Sequence, residues 1–119
     1  MRWLAVVAFV IGCKQSPPTA AQIAERGWAA HEAVVGAGEA QPTCPAAGAA
    51  MQKAFGEHRQ AFVDAMALDR DKARLEEATT YMEAHADRYS GLETRMELLA
   101  ERCPEDATVQ AAFAQMANP

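Results

Sequence analysis

The chain is poor in the signatures that usually announce chemistry. It has no glycine-rich phosphate loop, no Gly-x-Ser-x-Gly elbow and no His-Glu-x-x-His run, so nucleotide, serine-hydrolase and zinc-hydrolase chemistry find no motif. Cys-x-x-Cys-His is absent, which excludes covalent haem attachment of the usual kind. The positions three residues before His31, His58 and His85 hold Trp28, Phe55 and Met82, not glutamate, so the carboxylate-bridged di-metal pattern of helical bundles is missing as well. Lysine and arginine are not clustered beyond mixed runs such as Asp69-Arg70-Asp71-Lys72, and the formal charge is −5. Nucleic acid is therefore not an expected partner. No enzyme activity is expected, because function must rest on a site and none is visible.

What the sequence does have is helical rhythm. At 119 residues it accommodates one domain. Many of its apolar residues are alanine, which favours helix and buries little area, so the core should be thin. From Leu75 to Cys103 apolar or weakly polar residues recur at steps of three and four, through Ala78, Met82, His85, Tyr89, Leu92, Met96 and Leu99. This spacing predicts one long helix with a seam along one face. Ser90-Gly91-Leu92-Glu93 fits a capping box, but the seam runs on through it, and the helix is expected to continue with at most a kink.

Three further helices are expected. The first runs from a Thr19 N-cap to about Val35, ended by Gly36-Ala37-Gly38; the second runs from Pro45 to about Leu68. Asp69 or Asp71 caps the long third helix, and the fourth runs from Pro104 to about Ala117. Short connections predict an all-α, up-down four-helix bundle over residues 20–119, with a three-helix bundle plus tail, or a dimerising hairpin, as alternatives. Folding the second helix back on the third sets Met51 against Leu92, Phe55 against Tyr89, His58 against His85 and Phe62 against Met82. A His58/His85 pair with Met82, Met51 or Met66 nearby is the one set that suits haem b or Cu(I). The default is that these side chains only pack, with no bound cofactor or metal.

The N-terminus carries an address. Arg2 precedes an unbroken apolar run from Trp3 to Ile11, too short to span a bilayer and suited to a signal-peptide core. The run ends in Val10-Ile11-Gly12-Cys13, where the chain resembles a bacterial lipoprotein precursor. The resemblance implies cleavage after Gly12, a covalent lipid on Cys13, and a membrane-anchored protein of the cell envelope. Residues 1–12 are then the signal peptide and 13–19 a lipidated tether stiffened by Pro17-Pro18. Lys14, in place of an aspartate after the lipidated cysteine, implies the outer membrane, facing the periplasm, over the inner one. The alternative is an ordinary signal peptide cut near Ala20, with Cys13 discarded.

Expected partners are the membrane, through the lipid, and an envelope protein; the domain itself is expected to be a non-catalytic structural or interaction unit. The other functional reading is a lipid-anchored haem- or copper-binding bundle. Three cysteines in an exported chain leave one over. Lipidation of Cys13 removes the odd one, and Cys44 and Cys103 remain as a disulfide pair, each followed by proline and each expected at a helix N-cap.

Overall fold

The computed structural model describes residues 16–119, so the expected signal peptide, the lipobox and Cys13 lie outside the described residues. The described chain is all-α: α1 Ala20–Glu39, α2 Cys44–Ala67, a 3-10 turn Leu68–Arg70, α3 Lys72–Ala84, α4 Ala86–Arg102 and α5 Ala107–Ala117. Four helices were expected; among the described residues there are five. None of them is long and apolar enough to cross a membrane.

Local chemistry explains the helix starts. Thr19 caps α1 in a reciprocal box: its hydroxyl accepts from Gln22 N–H, and the Gln22 side chain accepts from Thr19 N–H. Asp71, one of the two expected caps, accepts from Arg74 N–H at the start of α3. The other starts differ from expectation. Thr43, not Cys44, caps α2, and Cys44 is already its first helical residue. Cys103 ends α4, with φ −129° and ψ 59°, and α5 begins only after Asp106, whose carboxylate accepts from the N–H groups of Thr108 and Val109 and from the Thr108 hydroxyl. Those donors hold the Asp106 carboxyl below its ordinary pKa, the hydroxyl contributing most.

The long third helix is divided at His85, not at Ser90. His85 leaves the helical region at φ −124° and ψ 37°. Its ring Nδ1 lies 2.8 Å from the carbonyl oxygen of Tyr81, the acceptor that an unbroken helix would offer to the His85 N–H. A carbonyl oxygen can only accept, so the ring proton is on Nδ1. The His85 N–H bonds to Met82 instead, 3.0 Å away. The bond to the residue three back tightens the turn, and the ring occupies the carbonyl that the N–H has left. Gly91 sits inside α4 with open space where a Cβ would go.

Helix α1 is the centre of the molecule. It packs against α2 on one side and against α3 and α4 on the other, while α5 packs on α2. Helices α1 and α2 form an antiparallel hairpin, but α1 and α3–α4 run parallel. Bonds join Pro18 to Arg74, Ala21 to Glu77, Glu25 to Tyr81, Glu32 to Arg88 and Glu39 to Arg95, every pair 56 positions apart. The expected facing of the second helix with the third is therefore replaced. Met51 and Leu99 both close on Gly38, Phe62 lies 5.1 Å from Phe55 and 4.6 Å from His31 between ring centres, and Tyr89, His58 and His85 are exposed.

Glycine permits the closest approaches. A Cβ on Gly38 would stand 2.7 Å from Met51 Sδ, and one on Gly48 would stand 2.5 Å from the Thr108 carbonyl carbon. Gly36 and Gly38 therefore do not stop α1, which continues to Glu39 through both. The core includes Trp28, Val34, Val35, Met51, Phe55, Phe62, Leu92, Leu99 and Val109, with buried alanines at 30, 47, 54 and 112 between them. A smaller cluster of Ala20, Ile23, Ala24, Leu68 and Ala78 closes the end of the domain where α1 begins. Cys44 and Cys103 are bonded as expected, with Cα atoms 5.7 Å apart, and tie the start of α2 to the end of α4.

Candidate functional site

Two features lie on either side of the α1/α3–α4 interface. The first is an ionic ladder. Glu25, Glu32 and Glu39 recur every seven residues along α1, and Tyr81, Arg88 and Arg95 recur with the same interval along α3–α4. In parallel helices of matching period these rows meet rung by rung. Arg88 grips Glu32 through two nitrogens, at 2.6 and 3.1 Å, and also binds Glu25. Arg95 grips Glu39 the same way, at 2.7 and 3.1 Å. The Tyr81 hydroxyl donates to Glu25 at 2.6 Å.

The ladder sets the protonation of its members. Arg88 holds the Glu25 carboxyl below its ordinary value, with Tyr81 adding to the effect, and holds Glu32 down likewise; Arg95 does the same for Glu39. The negative Glu25 pushes the Tyr81 phenol up. Arg88, bonded to two carboxylates, loses its proton even less readily than a free arginine. It also lies 5.2 Å from the centre of the Trp28 ring, a cation–π contact. Beyond the ladder, Arg102 donates to the carbonyl of Gln41 just past the end of α1. The ladder aligns α1 with α3 and α4, and each of its carboxylates is paired with an arginine.

The second feature is an apolar cleft of about 480 Å³ where α2 and α3–α4 diverge from α1. Trp28 and His31 line it from α1, Ala65 and Leu68 from the end of α2 and the turn after it, and Leu75, Met82, Tyr89, Leu92 and Met96 from α3–α4. It is the open side of the heptad seam. An antiparallel α2 would have covered that seam; with α1 in the middle, part of it faces solvent, and Leu75 and Tyr89 are 37% and 41% exposed. Two carboxylates, Asp69 and Glu93, and no lysine or arginine contribute to its lining.

The sequence-predicted site residues divide accordingly. Cys44 and Cys103 meet. Met82 lines the cleft, His58 lies on the exposed face of α2, and His85 stacks on Tyr81 at 4.3 Å and stands 6.2 Å from the Trp28 ring. The His58/His85/Met82 set is not brought together. His31 is the histidine at the cleft, its ring bonded to the Gly27 carbonyl at 2.8 Å. Among the described residues no three His, Cys, Asp or Glu side chains gather as a metal site would require. Sequence reasoning missed the Glu25/Arg88/Glu32 and Glu39/Arg95 rungs, although the sevenfold interval of both rows was available to find them. No protein-family model, curated protein or solved structure matches the chain.

Proposed function

We propose that this chain is an exported lipoprotein of the bacterial cell envelope, anchored through a lipid on Cys13, whose helical domain is a non-catalytic structural or interaction unit. The observation that carries the reading is the cysteine left over. With Cys44 and Cys103 bonded to each other, Cys13 is the odd one, and it ends the lipobox-like Val10-Ile11-Gly12-Cys13. The start of the fold supports cleavage there over a cut near Ala20. The Pro18 carbonyl accepts from Arg74 at 2.7 Å, Thr19 caps α1, and Ala20 is fully buried. A cut near Ala20 would strip away the cap and this bond; a cut after Gly12 spares both and leaves 13–17 as a tether.

On this reading the domain sits close to the membrane with the α1 start and the Leu68–Arg70 turn at its near end, and the outer membrane is its place. The test is fractionation and intact mass of the native protein beside a Cys13→Ser form. The expected result is an acylated Cys13 N-terminus in the membrane fraction and an uncut or soluble Cys13→Ser form. A Cys13→Ser protein still cut after Gly12 and still membrane-bound would overturn the anchor. The haem- or copper-binding reading through His58, His85 and Met82 has no juxtaposition of those side chains behind it.

A further inference from the structure

The cleft is lined mainly by apolar and aromatic side chains. Its long wall follows α3–α4 from Leu75 to Met96, about 30 Å at ~1.5 Å per residue, and its volume of about 480 Å³ falls in the range of small-ligand sites. Half the ~30 Å hydrocarbon core of a bilayer is the depth one acyl chain covers, so the cleft is long enough for one such chain. Met82 and Met96 are flexible, polarizable side chains that mould to a thin apolar ligand, and Trp28 and Tyr89 add flat walls.

Charge decides the headgroup. Asp69 and Glu93 are the charged side chains of the lining, one in the turn before α3 and one on α4. No lysine or arginine joins them in the lining: Arg88 and Arg95, the cations between Leu75 and Met96, are turned to the glutamates of α1, Arg74 donates to the Pro18 carbonyl, and Arg70 and Lys72, close to Asp69 in sequence, are exposed outside the cleft. A carboxylate or phosphate headgroup would meet like charge here; an ammonium would meet its complement. We propose that the cleft binds one alkyl chain bearing an ammonium headgroup, with the chain along Trp28, Met82, Leu92 and Met96 and the head beside Asp69 or Glu93. This goes beyond the membrane anchor and does not depend on it.

Trp28 supplies the readout, because Trp3 is the other tryptophan of the chain. The full chain carrying Trp3→Phe is titrated with bromine-bearing dodecylamine and, separately, bromine-bearing dodecanoate, both below their micelle concentrations. Bromine quenches indole fluorescence only at close range. The expected result is saturable quenching of Trp28 at one amine per chain, with the carboxylate at least tenfold weaker. Asp69→Asn with Glu93→Gln should erase that preference, and Thr79→Phe at the cleft rim should weaken the amine at least tenfold while the helical circular-dichroism melt persists. If Thr79→Phe does not fold, the charge pair decides. No saturable quenching, equal affinity for the two heads, or indifference to the charge pair overturns the proposal. So does a dimer by sedimentation in which Trp28 is shielded from both probes, which would give the cleft to a second copy of the chain.

Discussion

Arg88 Nη2 and Nε bind the two carboxylate oxygens of Glu32 at 2.6 and 3.1 Å, while the third nitrogen reaches Glu25 one heptad earlier. One arginine thus fixes the register of α4 on α1. The pairs are about one-third exposed, so their energetic weight is that of a surface network, not a buried charge. Replacing Arg88 by Met should cost about 1 kcal/mol, and Glu32→Gln in that background should cost much less than alone. Chemical denaturation of the four proteins of this cycle checks it. Additive losses would show that Arg88 and Glu32 do not act together in solution.

Acid should loosen the same interface. The folded pKa values of Glu25, Glu32 and Glu39 lie below the ordinary value of 4.5, so the unfolded chain binds more protons in acid. Stability from this source is fully present above 4.5 and is lost as the pH falls through the depressed folded values. Melting temperature followed from pH 7 downward should drop below about pH 5, and the drop should be smaller in an Arg88→Met, Arg95→Met protein. An equal drop in both would assign the acid sensitivity to other carboxylates.

Four glycines inside helices should respond in opposite directions to alanine. Nothing lies within 4 Å of a Cβ on Gly56 or Gly91, so Gly56→Ala and Gly91→Ala should stabilise by up to ~1 kcal/mol through helix propensity. At Gly38 and Gly48 the new methyl meets Met51 and the Thr108 backbone. There the overlap should outweigh propensity and leave a net loss of about 1–3 kcal/mol, larger at Gly48, where backbone must move. Thermal melts of the four single variants provide the measurement; a stabilised Gly48→Ala would mean that α5 does not lie against α2 as described.

Reduction should weaken the whole domain. The disulfide joins residues 59 apart, and closing a loop of that size restricts the unfolded chain by about 4 kcal/mol in the entropy model. For an alanine-rich core this is a large share of the stability. The reduced protein, or Cys44→Ala with Cys103→Ala, should melt well below the oxidised one, with α5 the first element to lose amide protection. Two free thiols in the folded, oxidised protein would contradict the bond.

Local features were the most legible in the sequence. Thr19 caps where its side chain and the following residues said it would, Asp71 is one of the two caps the sequence offered for the third helix, and the cysteine count singled out the right pair. Gly36 and Gly38 misled because glycine next to a loop reads as a helix stop, whereas here neither has a positive φ and Gly38 serves a close contact. Thr43 and Asp106 were passed over because the prolines after the cysteines drew the boundaries toward themselves. The break at His85 comes with a local change of backbone hydrogen bonding, which periodicity does not register. The seam from Leu75 to Cys103 was legible in part: Ala78, Leu92, Leu99 and Cys103 are buried, while His85 and Tyr89 are exposed and the helix divides at His85. A face does not say what it meets, and the neighbour proved to be α1 and a cleft.

The fixed offset of 56 positions between α1 and α3–α4 also bears on how the chain acquires its shape. The hairpin of α1 and α2 can close through the short connection at 40–43, from residues near in sequence. A parallel pair has no such local route: Glu32 can find Arg88 only after α2 has run the full length of the domain and the chain has turned back. Loop closure over that distance precedes any reward from the rungs, so folding should be slower than helix content alone implies. Lengthening α2 by a single residue would slide every rung out of step at once, whereas the same insertion in the 103–106 turn would leave the ladder untouched.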